Sequence, residues 1–124
     1  VSCSNLFVDH FIQNGKGCLV GISSIAALRG NGAAVTYGAS KAFVSNYLKG
    51  MRQKVKTFES ADIVITEIQP GFVHTALAKG DQLFWAASPE KAAAQIVRAV
   101  RKKKTHAYIT KRWRIIAWIL KCLP

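Results

Sequence analysis

Acid is scarce in this sequence. Six of its 124 residues are Asp or Glu, against 18 Lys and Arg, and no acidic residue follows Glu90. The formal net charge of +12 is unevenly spread. The first 97 residues carry +3, nine bases meeting six acids, and the last 27 carry +9. Strong basicity therefore belongs to the tail and not to the body of the chain. Cysteine is also scarce. Cys3, Cys18 and Cys122 are odd in number and widely spaced, no C-x-x-C pair occurs, and the three histidines are scattered. This argues against a disulfide framework and against a metal site, and it fits a reducing, cytoplasmic compartment. Long apolar runs are missing too. "IIAWIL" is six residues, far short of the ~20 needed to cross a bilayer. The start lacks a basic region followed by an apolar run, so no secretory signal is expected. There is no internal repeat, and no low-complexity segment beyond the basic cluster.

What is present is a chain half hydrophobic, of a length for one domain or a piece of one. "NLFVDHFIQ" spaces its apolar residues as a helix over about 4–13, and "NGKG" breaks it. "CLVGIS" reads as a buried strand. "AALRGNGAAV" reads as a loop. From Thr36 to about Phe58 the residues Ala39, Phe43, Tyr47, Met51 and Val55 mark the apolar side of a long amphipathic helix. "DIVITEIQ" is a β-branched strand closed by Pro70–Gly71. Ser88 is expected to cap a helix that starts at Pro89, carries Glu90 in its first turn and ends in the basic run 101–104. "HAYIT" follows as a short strand and "KRWRIIAWILKCL" as a last amphipathic helix.

Alternating helices and strands predict an α/β fold with a parallel sheet covered by helices. Three strands are few for such a sheet and would leave an open edge. The chain also begins with Val1 and not Met. Both points suggest the C-terminal part of a larger unit: residues 1–110 as half of a sheet domain, residues 111–124 as a basic helix appended to it.

Ligands of open α/β sheets bind outside the carboxyl ends of the strands. Three features fall there. Ser23 and Ser24 follow the first strand, Pro70 and Gly71 end the second, and Tyr37 and Lys41 open the helix between them. A βαβ crossover puts that helix start on the same side. Positions i and i+4 share a helix face, roughly 6 Å apart along the axis. A free phenol titrates near ~10, too high for neutral acid–base work. A neighbouring ammonium and the positive end of a helix both favour the phenolate. A serine hydroxyl could then hold a carbonyl or alcohol oxygen while the phenol moves the proton. The hydride of such a reaction must come from a cofactor, since no side chain supplies one.

"GISS", then "YGASK" with Tyr37 thirteen positions on from Ser24, then "QPGFVHT" resembles the short-chain dehydrogenase/reductase family, in that family's order and spacing, over residues 14–105. The resemblance implies a Rossmann-like, doubly wound parallel sheet of which this chain is the C-terminal half. It implies an NAD(P)-dependent oxidoreductase that interconverts a carbonyl and an alcohol, using NAD or NADP. Ser24 is similar to the substrate-oxygen binder, Tyr37 to the proton donor or acceptor, and Lys41 to the residue that tunes the tyrosine and holds the nicotinamide ribose. Pro70, Gly71 and Val73 resemble the backbone cradle of the nicotinamide, with Thr75 a side-chain partner of the cofactor. The family's glycine-rich phosphate-binding fingerprint has no counterpart, nor does the residue that selects NAD from NADP. Its catalytic asparagine has no match either, Asn5 lying too near Ser24. The isolated chain is therefore expected to be inactive.

Leu77, Leu83, Phe84 and Trp85 suggest an apolar small-molecule substrate, and the long helix suggests a homo-oligomer by resemblance. Basic residues interleaved with Trp113 and Trp118 suit a helix at the surface of an anionic membrane. The opposing reading packs that helix over the sheet with its charges in water. No recognition motif supports a nucleic-acid partner. The alternative to an enzyme is a non-catalytic remnant of the fold or a membrane-surface binding module.

Overall fold

The computed structural model of the chain describes residues 1–58, 61–71 and 87–122, the side chain of Lys121 excepted. The order is α1 (Ser2–Asn14), β1 (Lys16–Ile22), two 3-10 turns (Ile25–Ala27 and Gly32–Ala34), α2 (Val35–Lys56), β2 (Asp62–Pro70), α3 (Pro89–Arg101), β3 (His106–Ile109) and α4 (Trp113–Cys122). The strands form one parallel sheet in the order β1-β2-β3. Lys16 stands opposite Asp62 and Ile22 opposite Ile68, while Glu67 faces His106 and Pro70 faces Ile109. The C-terminal ends of all three strands thus lie at one end of the sheet.

The helix boundaries have local causes. Gly15 takes the left-handed conformation at φ 70° and closes α1. The Ser88 hydroxyl accepts from the Lys91 amide, Pro89 opens α3, and Glu90 sits at its positive end. The α3 C-terminus differs from expectation. The helix stops at Arg101, and Lys103 has φ 50°, so three of the four basic residues lie beyond the last turn. A left-handed residue ends the helical hydrogen-bond pattern there.

Successive β2 side chains point to opposite faces. Ile65 joins Val8, Leu48, Met51 and Val55 under α1 and α2. Ile68 joins Ala92, Ala99 and Ile109 under α3. Helices on both faces of a parallel sheet make the arrangement doubly wound and Rossmann-like. Each fully buried Leu or Ile contributes about 1.5–3 kcal/mol to holding it.

Two expectations need correction. β1 is an edge strand of alternating exposure with Val20 and Ile22 open to solvent, not a buried one. The reason is that α1 and α2 pack on the Leu19 side of the strand, while Val20 and Ile22 point to the opposite face, which α3 covers only at β2 and β3. The predicted apolar stripe of α2 also splits: Met51 and Val55 are buried, whereas Phe43 is exposed and stacks on Tyr47. The buried stripe runs instead through Gly38, Ser45, Leu48, Met51 and Val55; at 3.6 residues per turn Ala39 and Phe43 fall on the side of the helix turned away from the sheet.

Candidate active site

Ser23 continues the path of β1 by donating its amide to the Ile68 carbonyl at 2.9 Å. Ser24 follows in extended backbone and caps the first 3-10 turn, its Oγ accepting from the Ala26 amide at 3.2 Å. That bond uses an oxygen lone pair and leaves the hydroxyl hydrogen for another acceptor. The chain then turns twice and enters α2, whose first turn carries Tyr37 and whose second carries Lys41. Lys41 Nζ donates to the Ile22 carbonyl at 3.2 Å and lies 5.7 Å from the centre of the Tyr37 ring. It therefore ties the helix start to the end of β1, next to the serines. The two segments also pack directly. A β-carbon on Gly38 would sit 3.4 Å from the Ala26 carbonyl oxygen, so the residue after Tyr37 lies against the turn that Ser24 caps. Ser24 is 7% exposed and Tyr37 51%. The serine is a wall residue and the phenol stands open to solvent.

Pro70 ends β2 at the same end of the sheet, and Gly71 leaves it with its amide bonded to the Ile109 carbonyl at 2.5 Å. The indole of Trp113 covers Gly71. This contact was not anticipated; the sequence offers Trp113 only as one aromatic among cations. Val73 and Thr75 lie outside the described residues, as do Leu77, Leu83, Phe84 and Trp85.

Beneath these loops lies a buried polar network that sequence reasoning missed. Glu67 is 1% exposed on the α2 side of β2. Its carboxylate accepts from Ser23 Oγ at 2.8 Å and Gln69 Nε2 at 2.9 Å, and pairs with the Arg52 guanidinium at 3.4 Å. Gln69 in turn meets His106 at 3.0 Å, and Arg52 donates to the Thr105 carbonyl at 2.8 Å. Burial pushes the Glu67 carboxyl up, but hydrogen bonds from Ser45 and Ser23, charge at His106 and the Arg52 bond outweigh it. The net effect holds the group below its ordinary value of 4.5. A sequence signal existed: Glu67 and Gln69 stand two apart, on the same face of the strand as Ile63 and Ile65.

The arrangement offers an exposed phenol, a fixed ammonium, a hydroxyl with a free hydrogen and a strand end that tolerates no side chain. Lys41 spends one of its three N–H donors on Ile22 and keeps two for a ligand. These groups fit the nicotinamide-ribose end of a dinucleotide. Among the described residues no group of three or more His, Cys, Asp or Glu could hold a metal ion.

A model of the family described as short chain dehydrogenase matches residues 1–86. An uncharacterized oxidoreductase of Myxococcus xanthus is 36% identical over 70 residues, covering 56% of this chain and 26% of that protein. Dehydrogenase/reductase SDR family member 7C of Mus musculus is 23% identical over 123 residues, covering 88% of this chain and 39% of that protein. The chain thus spans well under half the length of these relatives. Among solved structures, a short-chain dehydrogenase from Sphingobium yanoikuyae in complex with NADPH superposes with a TM-score of 0.70 at 17% identity, over 90% of this chain and 46% of that one. The fold, the order of the motifs and a family match over more than half the sequence agree: this chain belongs to the short-chain dehydrogenase/reductase family of oxidoreductases.

Proposed function

We propose that this chain forms the catalytic and C-terminal part, residues 1–110, of an NAD(P)-dependent oxidoreductase that interconverts a carbonyl and an alcohol. Residues 111–124 are proposed as an appended basic segment, of which Trp113–Cys122 is helix α4. The observation that carries the reading is the placement of Lys41, bonded to Ile22 at 3.2 Å and 5.7 Å from the Tyr37 ring. It puts a fixed cation beside a phenol at the strand ends where α/β sheets take their ligands. The bound structural relative supports a nicotinamide cofactor by similarity of fold.

In this reading the Ser24 hydroxyl hydrogen bonds the substrate oxygen and orients the reacting carbon. Tyr37 Oη gives a proton to that oxygen in reduction and takes it in oxidation. The Lys41 charge stabilises the negative oxygen that develops on the phenol as the proton leaves. Its two remaining N–H donors hold the ribose, and Pro70, Gly71, Val73 and Thr75 hold the nicotinamide. A bound nicotinamide supplies or receives the hydride. The substrate is proposed to be apolar, with Leu77, Leu83, Phe84 and Trp85 beside it. Phe43 is exposed and stacked on Tyr47 at 6.2 Å, which supports α2 as a face between two copies.

The test is Tyr37→Phe in the complete polypeptide, assayed with NADH and NADPH on a panel of apolar ketones. Because the ring is half-exposed, folding should survive. Turnover is expected to fall by ~10²–10⁴-fold, the usual worth of general acid–base help. Unchanged turnover would remove Tyr37 from its role, and no turnover in the parent would favour a non-catalytic remnant.

A further inference from the structure

Helix α4 has two apolar faces, and the body of the protein covers one of them. Trp113 and Ala117 are buried, the first against Gly71. Ile115, Trp118 and Ile119 stand on the opposite side at helical spacing, 61%, 69% and 45% exposed. Beside the start of this helix is a cleft of about 470 Å³ between α3, β3 and α4. Five of its lining residues are cations, Arg98, Lys102, Lys104, Lys111 and Arg114, and none is Asp or Glu. An apolar ridge thus stands next to a basic hollow, in the part of the chain that carries +9 of its charge.

Charge and position decide what fits this surface. A second copy meeting it face to face would set the same cations against each other. A nucleic acid would satisfy the cations and leave the Ile115–Trp118–Ile119 ridge in water. The unpaired edge of β1 can take further strands of a wider sheet, whereas α4 packs against β3, the strand at the other edge. An anionic bilayer matches both halves at once. Its headgroups supply negative oxygens for the cleft, and its acyl boundary takes the ridge. We propose that α4 and the α3–β3–α4 cleft form a docking face for anionic lipid bilayers. The helix lies in the interfacial plane, with Trp118 inserted and Lys111 and Arg114 among the headgroups. No described helix is long and apolar enough to cross a membrane; the contact proposed is one at the bilayer surface. It stands independently of the oxidoreductase reading, because none of its residues is assigned to catalysis.

The experiment is co-sedimentation of the chain with phosphatidylcholine vesicles, with and without an equal share of phosphatidylserine. Pelleting is expected with the anionic vesicles at low salt and release in about half-molar salt, where screening is strong. Each cation at such a surface is worth about fivefold in partitioning. Lys111→Gln with Arg114→Gln should therefore weaken binding by about 25-fold. Trp118→Ser should weaken it by about tenfold or more. Position 118 is exposed, so far-UV circular dichroism should match the parent, and Ile115→Ser serves as a second ridge variant if it does not. Equal pelleting on neutral vesicles, no pelleting at low salt, or variants that pellet like the parent would overturn the proposal. So would a concentration-dependent dimer abolished by Trp118→Ser, which would make the ridge an interface between copies. RNA binding that survives Trp118→Ser while vesicles do not bind would also overturn it.

Discussion

The indole of Trp113 lies across Gly71 so closely that a β-carbon at position 71 would fall 2.2 Å from its Cε2 and Nε1. Trp113 is buried at the first turn of α4, and Gly71 directly follows the last residue of β2. The end of the sheet and the start of the basic helix are therefore locked together by the absence of one side chain. Gly71→Ala forces the ring or the turn aside. Overpacking of this kind costs about 1–3 kcal/mol. The urea midpoint is expected to fall with the slope unchanged, and near-UV circular dichroism should report a moved indole. Gly71→Ala with Trp113→Leu should recover part of the loss. An unchanged midpoint in the single variant would mean that the contact is slack.

The Glu67 carboxyl predicts a pH dependence with a definite sign. Its folded-state value is depressed below the ordinary 4.5. The stability it contributes is therefore fully present above the unfolded value and is lost as pH falls through the lower folded value. Glu67→Gln keeps the shape and removes the charge. At neutral pH it is expected to lose about 1–3 kcal/mol, because Ser23, Gln69 and Arg52 lose a charged acceptor. The gap between parent and variant should narrow as pH drops below 4.5. Urea melts from neutral to acid conditions read this directly, and a gap constant with pH would deny the carboxylate its role.

Arg52 tests the same network from the other side. It reaches across from α2 to Glu67 and to the Thr105 carbonyl ahead of β3. Arg52→Met leaves a buried carboxylate without its cation, which costs about 3 kcal/mol. The cost in a Glu67→Gln background should be smaller, since no charge is then stranded. A double-mutant cycle measures the difference, and strictly additive effects would show that the 3.4 Å pair contributes nothing of its own.

The elements themselves were legible because their signals are local. Ser88-Pro89-Glu90 announces a helix start, and the β-branched run 62–68 announces a strand. The convergence of Ser24, Tyr37 and Lys41 on one sheet end followed from the topology of a parallel crossover. What the sequence hid is non-local. Which side of α2 meets the sheet depends on how the helix is rotated over it, and that rotation left Phe43 exposed and Met51 buried. That three lysines of the 101–104 run fall beyond α3 depends on one left-handed residue, Lys103. The Trp113–Gly71 contact joins residues 42 apart, with no pattern in either segment that names the other. Glu67 was visible as a polar residue in an apolar strand, but its partners come from three other elements.

The absence of a phosphate-binding fingerprint makes a prediction about the chain in isolation. Belonging to the family does not supply the part of the site that grips the pyrophosphate, which depends on glycines at a helix start. Titration of the 124-residue chain with NADPH or NAD is expected to give no saturable heat at micromolar cofactor, and no ketone reduction should be detected. Turnover from this chain alone would show that Lys41 and the Pro70–Gly71 turn suffice for binding.

Lys41 separates positioning from catalysis. Its bond to the Ile22 carbonyl is exposed and replaceable by water, so Lys41→Met should cost no more than about 1 kcal/mol of stability. In the complete polypeptide the same change removes the cation beside Tyr37 and the donors proposed for the ribose. A fall of about 10²–10³-fold in kcat is expected, the scale for losing one preorganised donor. The rise in KM for the cofactor should exceed that for the ketone, because the proposal gives the lysine to the cofactor and not to the substrate. Lys41→Arg is the control. It keeps the charge but spreads it over a planar fork that does not reproduce the ammonium geometry, so it should restore cofactor affinity more than turnover. If Lys41→Met instead lowers stability by several kcal/mol with kcat untouched, the residue is a clamp on the end of β1, and the proton must be managed by other groups.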